Sequence, residues 1–221
     1  MLQPFLLAVD RKMSKITGIK QGKTRAKRVS VYVDGAFAVS LASETLKKAN
    51  LDVGQELDQA ALKDLAEKDK LQQCFNAALR FLGHRPRSEA EVRQRLARRG
   101  FEIEMIEKTL ERLRDMGFTD DAEFARAWVQ NRELLNPRGK RLTKMELKRK
   151  GLEPDIIEKA VNTIDEKDSA YRAAQNRIRR FESLDHREFR LRLGQYLGRR
   201  GFNYAVIKEI TEKAWKQLRK K

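Results

Sequence analysis

Apolar and polar side chains alternate over residues 29–33 and 37–41, and Asp34-Gly35 stands between the two runs. Alternation on both sides of an Asp-Gly pair is typical of a β-hairpin with a type I′ turn. After the hairpin, apolar positions at helical spacing predict two short helices, over residues 43–49 and from residue 58 to about residue 70. A hairpin alone is marginally stable in water, so we expect these helices to pack on it.

The rest of the chain contains a motif that occurs three times. The three copies are Leu96-Ala97-Arg98-Arg99-Gly100-Phe101, Leu147-Lys148-Arg149-Lys150-Gly151-Leu152 and Leu197-Gly198-Arg199-Arg200-Gly201-Phe202. In each copy an apolar residue is followed by a basic pair, which complements a helix dipole, and by a glycine, which can adopt the left-handed C′ conformation. We therefore expect each motif to end a helix.

Helical patterns before and after each motif predict units of three helices. Longer patterns open the units over residues 71–82, 120–135 and 169–181, and Ser88 with Glu91 predicts a capping box at the start of the first motif helix. A three-helix unit of this size is marginal alone. Neighbouring units are therefore expected to stack and share a core.

The predicted fold class is mainly α: three tandem three-helix repeats form an elongated array that can curve, preceded by the β-hairpin and the short helices. The predicted segments are a disordered basic arm at 1–28, the hairpin and short helices at 29–70, and three repeats at 71–117, 118–165 and 166–221. The arm is assigned because residues 10–28 carry eight basic side chains, one acid and no apolar periodicity. We also hypothesise that translation starts at Met13, which an intact mass of the native protein would test.

The charge pattern points to an anionic partner. The chain has 49 Lys and Arg against 32 Asp and Glu, a net charge of +17, and residues 79–100, 138–150 and 187–200 together carry most of that surplus. If the repeats stack in register, these segments form a basic row on one surface, which would bind a polyanion or an acidic protein. The alternative is that they are solvated helix faces that stabilise only the helices.

Candidate catalytic and metal-binding groups are weak. Asp120, Asp121 and Glu123 form the densest acidic cluster, and helix capping explains them better than metal binding. Residues 18–24 resemble a phosphate-binding loop but have one residue too few between the glycines. Cys74, the single cysteine, is expected to lie in the core and to be inert. We therefore expect no catalytic residue, no metal and no cofactor, and a cytoplasmic protein without membrane contact.

Four stretches of the sequence form a recognisable combination. They are Val31-Tyr32-Val33-Asp34-Gly35, the run from Ala78 to Leu96 with Arg85-Pro86-Arg87 inside it, the segment from Gly117 to Ala125, and Glu146-Leu147-Lys148-Arg149-Lys150-Gly151. Together they resemble the RecX regulatory protein family, from about Val29 to the C-terminus. The resemblance implies a non-enzymatic modulator that lies in the helical groove of the RecA filament on DNA. Such a protein usually inhibits strand exchange, ATP hydrolysis and co-protease activity, and so affects DNA repair and the SOS response.

The residues expected to contact the RecA filament or DNA lie in and around the motif helices. They are Arg85, Arg87, Arg93, Arg95, Arg98, Arg99, Lys140, Lys144, Lys148, Arg149, Lys150, Arg199 and Arg200. We expect a monomer whose own binding to single- and double-stranded DNA is weak and depends on salt. The alternative function is a general basic nucleic-acid-binding protein without a specific recombinase partner. A third class, a hydrolase or nuclease, would have to use Asp120 and Asp121.

Overall fold

The computed structural model describes residues 13–22 and 28–219. The described residues divide into two compact units, one of residues 13–22, 28–77 and 102–109 and the other of residues 78–101 and 110–219. The elements are, in order, β1 Met13–Gln21, β2 Arg28–Val33, β3 Ala36–Ala42, α1 Ser43–Lys48, β4 Glu56–Asp58, α2 Gln59–Leu82, α3 Glu89–Ala97, α4 Ile103–Asp115, α5 Asp121–Leu135, α6 Lys140–Arg149, α7 Pro154–Asn162, α8 Glu166–Ile178 with a 3-10 turn at Arg179–Phe181, α9 His186–Arg199 and α10 Tyr204–Leu218.

A four-stranded antiparallel sheet in the order β3-β2-β1-β4 forms the centre of the first unit. Asp34 and Gly35, at the turn between β2 and β3, have φ angles of +49° and +81°, as a type I′ turn requires. Ile16, Val31 and Leu41 are fully buried in the core of this sheet. The predicted hairpin is therefore confirmed, and it is part of a larger sheet than the sequence indicated.

β1 lies inside the segment predicted to be a disordered arm, so that prediction is wrong for residues 13–21. Residues 1–12 and 23–27 of the predicted arm lie outside the described residues. Of the two arm residues that remain, residue 22 follows β1 and residue 28 begins β2. The pattern was missed because β1 has few apolar residues and its pairing with β2 shifts register between Ile16 and Gly18. This strand is held in place by its pairing with β2 on one side and β4 on the other. It has no amphipathic alternation that would have indicated it in the sequence.

Asp69 on α2 connects this helix to the sheet and to α1. The side chain is 2% exposed and accepts hydrogen bonds from the Ala42 N–H (2.8 Å), the Thr45 hydroxyl (2.8 Å) and the Gln73 side-chain amide (2.7 Å). The Arg28 guanidinium also lies 3.1 Å from its Oδ2 atom. A buried carboxylate with four donors is fully satisfied. The bonds from Arg28, Ala42 and Thr45 hold β2, β3 and α1 to α2, whereas the bond from Gln73 lies within α2.

α2 is one continuous helix of 24 residues, so the predicted end of a short helix at about residue 70 is wrong. The helix contains no proline or glycine that would end it. Cys74 lies on α2 and is fully buried, and burial raises the pKa of its thiol, as expected of an inert core cysteine. No helix within residues 13–22 and 28–219 is both long and apolar enough to cross a membrane.

The second unit contains two complete three-helix repeats. In the second repeat, α5, α6 and α7 enclose a core that includes Phe124, Leu147 and Ile157. In the third repeat, α8, α9 and α10 enclose a core that includes Phe189 and Leu197. Their helices follow the predicted order, so a mainly helical fold with three-helix repeats and a small N-terminal sheet is confirmed.

Candidate interaction surface on the motif helices

The three motif helices, α3, α6 and α9, end in the same hydrogen-bonded turn. In α3 the Gly100 N–H donates to the carbonyl three residues earlier (2.9 Å), and the Phe101 N–H donates to the Leu96 carbonyl five residues earlier (3.4 Å). The same two bonds end α6 and α9. Gly100, Gly151 and Gly201 have φ angles of +81°, +77° and +86°. These turns are Schellman motifs, and the predicted helix ends are confirmed.

The end of α6 packs against the start of α3. The Ser88 hydroxyl, at the N-cap of α3, donates a 2.6 Å hydrogen bond to the Lys150 carbonyl, and Lys150 Nζ lies 2.9 Å from Glu91 Oε1. A Cβ atom on Gly151 would lie only 2.4 Å from the Ala90 Cβ, so the contact needs a glycine. We call this contact the first joint.

The end of α9 packs against the start of α6 in the same way. The Gly139 N–H, at the N-cap of α6, donates a 2.9 Å hydrogen bond to the Arg200 carbonyl. The Arg200 guanidinium donates to the Pro137 carbonyl at 3.0 Å. A Cβ atom on Gly201 would lie 2.5 Å from the Leu142 Cβ. We call this contact the second joint.

The two joints use equivalent positions. In each, the N-cap residue of one motif helix donates to the carbonyl that precedes the glycine of the next motif. In each, the first helix of the following repeat supplies a carboxylate to the N1 backbone N–H: Asp121 accepts from Glu89 and Glu166 accepts from Lys140, both at 2.9 Å. Because each helix end contacts the start of the preceding motif helix, successive ends are about one helix length apart, roughly 15 Å at 1.5 Å per residue.

In the second and third motifs, the two basic residues before the glycine have different surroundings. The second of each pair, Lys150 or Arg200, is part of a joint. The first of each pair, Arg98, Arg149 or Arg199, is exposed, and none of these three has a hydrogen-bond or ion-pair partner within the described part of the chain. We call these three residues the arginine row. The charged groups of Lys150 and Arg200 thus have partners within the molecule, and their contact with RecA or DNA stays a prediction.

Two further predicted contacts, Arg85 and Arg87, are also used inside the molecule. Arg85 Nη2 lies 2.9 Å from Glu91 Oε1, and the Arg87 guanidinium lies 4.2 Å from the centre of the Phe81 ring. Burial raises the pKa of Glu91, but hydrogen bonds from Arg85 and Lys150, together with their charges, outweigh it and lower the pKa to about 2. Glu91 also completes the predicted capping box with Ser88. Arg85 and Arg87 therefore have partners at the start of α3, and their contact with RecA or DNA stays a prediction.

The remaining predicted residues fall into two groups. Lys144 pairs with Glu158 on α7, and the Arg95 guanidinium lies 5.6 Å from the Phe81 ring centre. Lys140 is half-buried, and its backbone N–H is part of the second joint. In contrast, Arg99 and Lys148 are exposed and unpaired among the described residues, and each is next in sequence to a member of the arginine row.

Arg93 lies near the carboxylate of the first joint. It is exposed, and its positive charge opposes the rise that burial causes in the pKa of Asp121. Asp120 accepts hydrogen bonds from the Ala122 N–H (2.7 Å) and the Glu123 N–H (2.9 Å), so it caps α5 as the sequence indicated.

Two residues of the joints were missed from the sequence. Arg141 donates to a carbonyl near the end of α9 at 3.3 Å, and Glu166 binds the N1 backbone of α6. The sequence does contain a pattern that could have indicated Glu166. This residue directly follows the N-cap Asp165 of α8, just as Asp121 directly follows the N-cap Asp120 of α5. Arg141 carries no such signal, because it looks like the other basic residues of its segment.

Tandem three-helix units, with cationic motif helices and a small N-terminal sheet, define a helical-repeat protein with exposed basic side chains on its motif helices. Comparison with family models gives four matches along the chain. They are "Regulatory protein RecX N-terminal domain" at residues 14–58, "RecX, first three-helix domain" at 74–113, "RecX, second three-helix domain" at 120–161 and "RecX, third three-helix domain" at 165–211. The chain belongs to the RecX family.

Proteins of similar sequence are named regulatory protein RecX. The regulatory protein RecX of Clostridium botulinum (strain Alaska E43 / Type E3) is 29% identical over 207 residues, which cover 91% of this chain and 97% of that protein. The regulatory protein RecX of Bacillus licheniformis is 30% identical over 198 residues, covering 88% of this chain and 75% of that protein. These relatives are regulatory proteins by name.

Solved structures show the same fold. A crystal structure of regulatory protein RecX matches with a TM-score of 0.69 and 24% identity, over 90% of this chain and 99% of that chain. A crystal structure of RecX from Lactobacillus salivarius matches with a TM-score of 0.62 and 23% identity, over 66% of this chain and 97% of that chain.

Proposed function

We propose that this protein binds the RecA filament on DNA and inhibits its recombinase, ATPase and co-protease activities. The arginine row, extended by Arg99 and Lys148, would contact acidic groups of the filament. In the cell, this binding would occur in the cytoplasm and would affect DNA repair and the SOS response. The proposal assigns no catalytic step to this chain.

The observation that carries the proposal is the arginine row itself. Arg98, Arg149 and Arg199 occupy equivalent places at the ends of successive motif helices, are exposed, and have no ion-pair partner among the described residues. Equivalent joints separate them by about one helix length, roughly 15 Å. A polymer of identical subunits presents identical acidic sites at intervals, and several weak contacts on one chain multiply into a high effective affinity.

The second candidate is binding to nucleic acid alone. It is favoured by the same exposed arginines, because guanidinium groups bind phosphate oxygens well. Binding of this kind weakens steeply with salt, with a logarithmic slope of about −0.9 for each phosphate contacted on duplex DNA. Binding to the protein part of a filament should persist at a salt concentration that suppresses binding to bare DNA.

The test is RecA-dependent ATP hydrolysis on single-stranded DNA, measured at increasing concentrations of this protein. The salt concentration is first raised until the protein alone no longer binds the DNA. We expect hydrolysis to be inhibited under these conditions. Unchanged hydrolysis at saturating protein would overturn the proposal and leave binding to nucleic acid as the better explanation.

A charge-reversal variant tests whether the arginine row is the contact surface. Arg98→Glu, Arg149→Glu and Arg199→Glu are combined in one chain. If each exposed contact contributes about 1 kcal/mol, the loss of about 3 kcal/mol raises the inhibitory concentration by a factor of about one hundred or more. The matched control combines Arg126→Glu, Lys159→Glu and Lys216→Glu, which lie on α5, α7 and α10, are exposed and have no partner among the described residues.

The control separates a specific surface from overall charge. Both triple variants change the net charge by the same amount, so only the row variant should lose inhibition. An equal loss in both would mean that net positive charge, not the arginine row, is responsible. Helicity measured by circular dichroism should be the same in all three proteins.

A further inference from the structure

Of the three motif helices, α3 has an end that forms no joint within the described chain, and α9 has a start that forms none. At the end of α3, Gly100 is exposed, and a Cβ atom on it would meet no described atom within 4 Å, in contrast to its two equivalents in the joints. At the start of α9, residues 185–188 are exposed, whereas the N-cap residues Ser88 and Gly139 of the other motif helices are buried. The chain therefore carries an uncovered motif end and an uncovered motif start.

The uncovered start of α9 carries two charged side chains at positions that the covered starts use. Asp185 is its N-cap residue and accepts the Glu188 N–H at 2.8 Å. Glu188 stands at the third helical position, as does Glu91, which binds the motif lysine in the first joint. Arg187 stands at the second helical position, as does Arg141, which donates to a carbonyl near the end of α9 in the second joint.

The uncovered end of α3 has the complementary groups. Arg99 stands at the position of Lys150 and Arg200, the two motif residues that enter the joints. Its side chain is exposed, and no described residue pairs with it or hydrogen-bonds to its carbonyl. Gly100 already has the Schellman conformation of the docked ends, so no rearrangement is needed for docking. Arg99 and Glu188 carry opposite charges, which supports pairing between the two uncovered halves.

We propose that the chain associates head to tail with a second copy of itself, the Arg99–Gly100 end of α3 in one copy docking on the first turn of α9 in the next. The contact repeats the internal joints, and it is heterologous, so each dimer still has one free end and one free start. This association departs from the monomer expected from the sequence.

The contact between copies is weaker than an internal joint. In the internal joints Asp121 and Glu166 supply a carboxylate to the N1 backbone N–H. The position one repeat before Asp121 is Lys70, which cannot accept that hydrogen bond. We therefore expect association only at high protein concentration.

Sedimentation velocity of the full chain, from about 5 µM to about 500 µM, tests this inference in the absence of RecA and DNA. We expect the weight-average mass to rise with concentration. Arg99→Glu and Glu188→Arg should each weaken association at least tenfold. An equimolar mixture of the two variants should associate again, because every joint then pairs opposite charges.

Arg149→Glu is the matched control, because it makes the same charge change at an exposed motif position outside the joints. It should associate like the unchanged protein. The inference is overturned if the unchanged protein stays monomeric at the highest concentration, if the control loses association as much as Arg99→Glu, or if the mixture does not regain it. Because no recombinase is present, this result is independent of the ATP hydrolysis assay.

Discussion

Glu91→Gln should destabilise the first joint. The Glu91 side chain is held by Arg85 and by Lys150 across the joint, and its pKa is about 2 compared with an ordinary value of 4.5. At 1.36 kcal/mol for each pH unit, this difference corresponds to roughly 3 kcal/mol of stability. Arg85 is 41% exposed, so solvent screening reduces that value. We expect the substitution to lower the free energy of unfolding at pH 7 by about 1–2 kcal/mol.

Urea unfolding followed by circular dichroism measures this loss. Glu104→Gln is the control, because Glu104 is an exposed carboxylate that pairs with Lys108 on the same helix. We expect no measurable change in the free energy of unfolding for the control. Glutamine keeps the size of the Glu91 side chain, so the comparison isolates its charge.

The pH dependence gives a second test of the same reasoning. A carboxylate with a lowered pKa in the folded state contributes stability above its unfolded pKa and loses it as the pH falls through the folded pKa. The unchanged protein should therefore lose the Glu91 contribution between about pH 4.5 and about pH 2. The difference between the unchanged protein and Glu91→Gln should shrink over this range. A variant as stable as the unchanged protein at pH 7, or a difference that persists at pH 2, would refute the role of Glu91.

Two further predictions concern packing. Gly100→Ala should lower the free energy of unfolding by about 1 kcal/mol, because the residue has a left-handed backbone. Gly151→Ala and Gly201→Ala should each lower it by at least about 2 kcal/mol more, because their new Cβ atoms meet a neighbouring motif helix. Equal urea midpoints for the three variants would contradict the joints. Asp69→Ala should destabilise the first unit by about 3 kcal/mol, since four donors lose their buried acceptor. Hydrogen exchange of the Ala42 amide should then accelerate. Unchanged protection of this amide would contradict the role of Asp69 as its acceptor.

The features that the sequence predicted are those set by local chemistry. The Asp34-Gly35 pair specifies its turn because both residues tolerate positive φ angles, and the motif glycines specify their helix ends for the same reason. The capping box of Ser88 and Glu91 is also a local pattern. None of these features depends on a distant part of the chain.

The features that the sequence did not predict depend on distant partners. β1 has a weak pattern of its own and is fixed by two neighbouring strands. The predicted end of a helix at residue 70 followed the period of the repeat, although no residue there breaks a helix. In each motif the two basic residues look alike in sequence, and only docking against the preceding repeat separates Arg149 from Lys150. The composition of the candidate surface therefore required the three-dimensional arrangement.

The glycine contacts at the joints bear on how far such a protein can diverge. Each joint includes main-chain atoms, namely the carbonyl before the motif glycine and the Cα of Gly151 or Gly201, and the second joint adds the Gly139 amide. These atoms stay the same when neighbouring side chains change, so this part of each joint does not depend on the identity of the surface residues. A RecX crystal structure that shares only 24% of its residues with this chain still superimposes with a TM-score of 0.69. The order and docking of the repeats can therefore be conserved while the exposed side chains of the motif helices change.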